Sequence, residues 1–134
     1  MPPARDEHRQ ALRDTLVQRF RALLELHFRR HPPLSFYAHS LRVSPDHLSR
    51  ACRAVAGVSA LAMVQQRLLL EARRLLGYTG QPGADIAAAL GFDDAGYFSR
   101  VFTRQQGLSP TAYRAALVQG LVEAAAPPQK TPPA

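Results

Sequence analysis

The chain has 134 residues, with 17 Lys plus Arg against 10 Asp plus Glu, a net charge of +7 and a pI near 10.7. That length suits one compact domain, and the basic balance suits a nucleic-acid partner. A single cysteine excludes an internal disulfide, no apolar run approaches the roughly 20 residues that cross a bilayer, and residues 1–8 are too polar for a secretory signal, which together point to a reducing cytoplasm.

Sixteen of the 17 basic residues are arginine, whose planar fork can make paired hydrogen bonds to guanine edges or phosphates. GC-rich coding would raise the same count, so placement carries more weight than number. Leu12, Leu16, Phe20, Leu23, Leu24, Leu26 and Phe28 fall mostly at helical spacing, with Arg13, Arg19, Arg21, Arg29 and Arg30 between them. The pattern predicts an amphipathic helix ending near His31, because Pro32-Pro33 cannot continue it. A short helix over 35–41 and a turn at Arg42-Val43 follow. Ser44-Pro45 is the clearest helix start, a side-chain oxygen that caps free amides followed by a ring already set at helical φ. This helix is expected to run through Val55 and stop at Gly57.

Ser59 is placed to cap a longer helix over 60–76, with Leu61, Val64, Leu68, Ala72, Leu75 and Leu76 on one apolar face and Gly77 as its end. Such a helix spans roughly 25 Å at 1.5 Å per residue, a strut suited to holding two recognition helices about one DNA turn, or about 34 Å, apart. Residues 78–83 read as a loop from their Gly and Pro content. A short helix over 84–90 terminates at Gly91. Asp93 is the expected cap of a helix over 94–106 that turns Phe92, Phe98, Val101 and Phe102 inward. Ser109-Pro110 starts a last helix reaching about residue 123, and 124–134 read as a disordered Pro/Ala-rich tail.

Two stretches share their punctuation. Leu48-Ser49-Arg50 followed by Gly57-Val58-Ser59 is echoed by Phe98-Ser99-Arg100 followed by Gly107-Leu108-Ser109. Ala38 and Leu41 match Ala87 and Leu90 one register short of that offset, so the second copy holds one extra residue in its turn. A surface turn absorbs an insertion, whereas a helix interior would rotate its apolar face out of the core. The pattern is that of a duplicated helix-turn-helix, a scaffold that lays a helix in the DNA major groove. Cys52 falls where Phe102 sits in the second copy, which predicts a buried apolar role for it rather than redox chemistry.

Ile86-Ala87, Leu90-Gly91-Phe92, 97–102, Gly107-Leu108-Ser109-Pro110 and Tyr113-Arg114 together resemble the DNA-binding domain of AraC/XylS-type transcription regulators. Ser44-Pro45, Leu48-Ser49-Arg50 and 67–76 resemble the family's first unit and connecting helix. The resemblance implies an all-α fold of about seven helices, with two helix-turn-helix subdomains joined by a long connecting helix. The expected layout is an N-terminal extension at 1–16, partly helical, and a DNA-binding domain at 17–118, with the end of the last helix and the tail at 119–134. The domain divides into a first unit at 17–57, the connector at 58–77 and a second unit at 78–118.

The resemblance further implies sequence-specific binding of double-stranded DNA and transcription regulation, with activation through RNA polymerase contact, in a bacterial, nucleoid-associated setting. The positions that the family turns toward DNA correspond to Asp46, Ser49, Arg50 and Arg53, then Ala95, Gly96, Ser99, Arg100 and Arg104. Arg50 and Arg100 are the leading readers, each facing away from Leu48, Val55, Phe98 and Phe102. The plain alternative for each arginine is a solvated salt bridge. Asp46 puts a negative charge where phosphate would approach, although it could accept from cytosine N4 or sit at the helix's positive end. Ala95 and Gly96 offer little to read with, so the first helix is expected to discriminate bases and the second to anchor phosphate and select shape.

Members of that family commonly carry a sensing or dimerising domain before this part, and here only about 16 residues precede the resemblance. The chain reads as a stand-alone regulator or as a fragment, without a small-molecule effector domain, and a monomer or weak dimer suffices to occupy two grooves. No phosphate loop, zinc-type cluster or nucleophile with its base assembles, so neither catalysis nor a cofactor is expected. His27 with His31 and the pair Asp93-Asp94 are the nearest metal candidates, and read as helix-end residues and caps respectively. The rival function is a protein-binding adaptor that has lost base readout.

Overall fold

The computed structural model describes residues 3–127, which form seven α-helices and one 3-10 turn with no strand among them. In chain order these are α1 (Pro3–His27), the 3-10 turn (Phe28–Arg30), α2 (Leu34–Ser40), α3 (Pro45–Ala56), α4 (Ala60–Tyr78), α5 (Gly83–Ala89), α6 (Ala95–Gln106) and α7 (Pro110–Val118). The chain divides into two compact units, 1–67 and 68–134, with the division inside α4.

In the first unit α1 packs on α2 and α3, and α2 on α3. Its core is Val17, Phe20, Leu24 and Phe28 with Tyr37, Ala38 and Leu41, closed by Leu48, Ala51 and Cys52 of α3 and by Met63 and Val64 of α4. One stripe of α1 is therefore buried, as its spacing predicts. Leu12 and Leu26 depart from that expectation at 58% and 76% exposed, because neither shares the face of Phe20, Leu24 and Phe28. Arg67 donates two hydrogen bonds to Glu25 at 2.7 and 2.9 Å and lies 3.9 Å from the Phe28 ring centre, closing the side of this core.

In the second unit α5 packs on α6, and α6 on α7. Leu68, Leu69, Ala72, Leu76, Ile86, Ala87 and Leu90 surround an aromatic ladder of Phe92, Phe98, Phe102 and Tyr113, whose successive ring centres lie 5.1, 5.9 and 5.5 Å apart. Arg114 fastens the loop before α5, donating to the carbonyls of Leu76, Thr79 and Gln81 at 3.0, 3.3 and 2.6 Å.

The helix ends follow local chemistry. Ser44, Ser59 and Ser109 each accept a backbone N–H three residues on, at 3.0, 3.1 and 3.1 Å, and Gly57 and Gly107 end α3 and α6 with φ of 79° and 80°. Three ends differ from the sequence reading. Asp94 rather than Asp93 caps α6, accepting from Gly96 N at 2.7 Å, because Asp94 has the extended backbone that a cap requires. Gly77 does not stop α4, which continues to Tyr78; its missing side chain admits Leu117, which a Cβ at residue 77 would meet at 3.4 Å.

α7 ends at Val118 rather than near residue 123. Gly120 adopts φ 71°, and the Leu121 N–H reaches back to the Ala116 carbonyl at 2.9 Å, a left-handed turn that ends the helix. Leu61, expected on the apolar face of α4 with Val64, is 53% exposed because Ala60 and Met63 are buried beside Val64 in its place. Residues 124–127, read as part of a tail, are pinned by Arg74 Nε to the Ala126 carbonyl and by Tyr78 OH to the Ala125 carbonyl, both at 3.0 Å. Residues 128–134 lie outside the described residues.

Candidate nucleic-acid interface

Each unit presents one helix whose inner face is locked and whose outer face is open. In α3, Leu48, Ala51 and Cys52 are buried, while Asp46, Arg50 and Arg53 are exposed and Ser49 is half-buried. In α6, Phe98, Val101 and Phe102 are buried, while Ala95, Gly96, Arg100 and Arg104 are exposed and Ser99 is half-buried. All nine residues singled out by sequence thus lie on or beside the open face, within each unit, and the 3.6-residue period puts them there.

The turns that aim these helices are near copies. In the first, Arg42 N–H bonds to the His39 carbonyl and Val43 N–H to the Ala38 carbonyl, both at 3.0 Å. The second repeats this with Gly91 to Ala88 at 3.1 Å and Phe92 to Ala87 at 2.9 Å. Four residues separate α2 from α3 and five separate α5 from α6, so the extra residue lies in the turn, as the repeat offset predicts. Arg42 takes the left-handed conformation at φ 59° where its counterpart is Gly91 at φ 75°. The sequence placed Arg42 in the turn but not its left-handed backbone, although its alignment with a helix-ending glycine was a visible signal.

The two leading arginines differ in their surroundings. Arg50 Nη1 lies 3.2 Å from Asp46 Oδ2 one helical turn earlier, with both side chains largely exposed. Arg100 has no carboxylate partner among the described residues. Its guanidinium stands 6.0 Å from the exposed Tyr97 ring centre, and a Cβ at Gly96 would lie 3.4 Å from its Nη1. Tyr97 lies exposed beside Arg100 and was not among the residues that the sequence singled out as facing DNA. An exposed aromatic three residues before an arginine on one helix was the available cue.

Cys52 is fully buried, and burial pushes its thiol above the ordinary range despite the opposing influence of Arg21, as its alignment with Phe102 predicts. His27 meets Phe36 edge-on at 5.0 Å, and His31 occupies a left-handed cap after the 3-10 turn. Among the described residues no three His, Cys, Asp or Glu side chains gather as a metal site, and no helix is long and apolar enough to cross a membrane.

A helix-turn-helix domain family matches residues 37–116, which takes in both turns and both outward helices. Over 85 residues the chain is 36% identical to the arabinose operon regulatory protein of Salmonella typhimurium, covering 63% of this chain and 30% of that protein. The chain belongs to the AraC/XylS family. Two solved structures share its fold. The C-terminal domain of AraT, a response regulator from Geobacillus stearothermophilus, matches with a TM-score of 0.71 and 33% identity over 75% of this chain and 84% of that one. The DNA-binding domain of the global transcriptional factor AdpA, solved with a target DNA, matches with a TM-score of 0.70 and 28% identity over 78% and 94%. The chain spans about 30% of the length of the arabinose regulator, so within the AraC/XylS family it corresponds to the helix-turn-helix part.

Proposed function

We propose that this chain binds double-stranded DNA in a sequence-specific way and thereby regulates transcription, with α3 and α6 entering successive major grooves. The observation that carries this reading is the pair of arginines, Arg50 and Arg100, at matching registers on the open faces of two helices whose opposite faces are buried. A guanidinium on such a face can fork onto guanine O6 and N7, or onto phosphate, without disturbing the core. Ser49 and Ser99 supply short hydrogen-bonding groups beside them, and Arg53 and Arg104, a turn further along, suit the DNA backbone. Ala95 and Gly96 give close approach rather than readout. The AdpA domain, solved on its target DNA, supports a duplex as the partner.

Activation through RNA polymerase contact is the mode that the family implies, acting as a monomer or weak dimer in the cytoplasm. The helix-turn-helix match and the DNA-bound AdpA relative support a binding role rather than catalysis.

The test is selection of bound duplexes from a random pool, followed by footprinting. The expected winner is a two-part site with centres about one helical turn apart. Arg50→Ala and Arg100→Ala should each weaken binding to it by about 1–3 kcal/mol, and affinity should fall steeply with salt. Weak binding without preference that survives both substitutions would instead mark a protein-binding adaptor.

A further inference from the structure

We propose that Asp46 is the positioning residue of the first recognition helix: it holds the Arg50 guanidinium and offsets its charge, so that Arg50 serves base discrimination rather than phosphate attraction. This rests on the DNA-binding reading above and deepens it.

Three observations lead there. The Asp46–Arg50 contact is 3.2 Å between side chains that are 75% and 67% exposed, so neither is held by the core. Such exposed pairs stabilise a fold little, so both side chains are available to a ligand at the open face. Asp46 is also not the cap, because Ser44 already accepts the His47 N–H at 3.0 Å. In α6 the register equivalent of Asp46 is Gly96, and there Arg100 makes no ion pair among the described residues, the nearby Asp94 carboxylate being engaged as the α6 cap on Gly96 N–H.

The consequence is chemical. A guanidinium held on one side by a carboxylate has fewer rotamers to lose when it meets a planar guanine edge. The same carboxylate repels phosphate, so contact away from the right base is penalised. Arg100, with a glycine one turn before it and no ion pair, is left to turn to the DNA backbone.

The experiment uses the full chain with the duplex recovered by selection and a scrambled duplex, titrated across salt. Asp46→Asn should lower the ratio of specific to scrambled affinity about tenfold, part of what one forked base contact supplies. Binding to the scrambled duplex should tighten, and the slope of log affinity against log salt should steepen by about one unit. Asp46→Glu, which keeps an ion pair at the same spacing, should hold the ratio within about twofold of the parent. In an Arg50→Ala background, Asp46→Asn should change preference no further.

A parent that prefers one duplex together with an Asp46→Asn variant that prefers it equally overturns the role of Asp46 alone. A loss that persists in the Arg50→Ala background overturns it in favour of a base contact by Asp46 itself. Equal weakening on both duplexes with a lowered melting temperature overturns it in favour of a helix-stabilising role. A parent without any preferred duplex fails the DNA-binding reading, and this inference with it.

Discussion

The two helix-turn-helix units use the same turns and nearly the same caps but fill their cores in different ways. In the second, the outward helix carries its own large anchors, Phe98 and Phe102, both buried and in ring contact with each other. In the first, the matching positions are Leu48 and Cys52, and the aromatic volume comes from elsewhere: Phe20, Phe28 and α2's Tyr37 are buried, with Phe20 and Tyr37 edge-on at 5.4 Å. An arriving α1 compensates for a lighter α3. A repeat preserves backbone punctuation more strictly than side-chain volume, because a cap or a left-handed turn has few chemical solutions while a core has many.

The strongest way to sharpen that contrast is to remove the anchor at one matched position in each unit. Phe102→Ala empties a site lined by Phe98 and Tyr113 and should cost about 3–5 kcal/mol. Cys52→Ala removes a single sulfur and should cost about 1 kcal/mol. Urea unfolding followed by circular dichroism checks both. Equal losses would mean that α3 depends on its own residues as much as α6 does, and the contrast would fail.

A second break point is Tyr37, which is fully buried while its hydroxyl has no hydrogen-bond partner among the described residues. The second unit has no such orphan in its aromatic ladder, where Tyr113 OH donates to the Glu123 carbonyl at 3.4 Å. Tyr37→Phe should therefore be neutral or stabilise by up to about 1 kcal/mol, since it deletes an unpaid polar group and keeps the ring. Burial also pushes the Tyr37 hydroxyl from 10.0 up to about 12. The folded state then holds this proton after the unfolded state has released it, so stability falls as pH rises between those values. Denaturant midpoints measured across that range should fall for the parent chain and fall less for Tyr37→Phe.

How much of this was visible in the sequence depends on whether a feature is local. The Ser44, Ser59 and Ser109 caps, the stops at Gly57 and Gly107 and the extra turn residue were legible, because each depends on a few neighbouring atoms. Asp93 and Asp94 are chemically identical candidates, and only backbone dihedrals decide between them. Gly77 looked like a terminator, yet the helix runs through it, because Leu117, 40 positions along the chain, packs against it. Leu26 and Leu61 belong to leucine-rich helices in which more than one stripe reads as apolar, so tertiary contact alone selects the buried one. At the candidate site the open faces were legible from periodicity. The pairing of Asp46 with Arg50 was there in the four-residue spacing, but spacing does not say whether two exposed side chains meet.

The last contrast concerns the turns themselves, where Arg42 and Gly91 hold the same left-handed position after α2 and α5. A side chain in that conformation crowds its own carbonyl at a cost of about 1 kcal/mol, which glycine avoids. Gly91→Ala should accordingly destabilise the second unit by about 1 kcal/mol. Arg42→Gly relieves the same strain in the first unit but gives the unfolded chain more freedom, so its net gain should stay below about 1 kcal/mol. Arg42 is exposed, so no packing is lost in the exchange. Thermal melting of the two variants reads the difference directly. If Arg42→Gly destabilises as much as Gly91→Ala does, the Arg42 side chain holds the first turn through contacts of its own, and the two turns are alike only in their backbone.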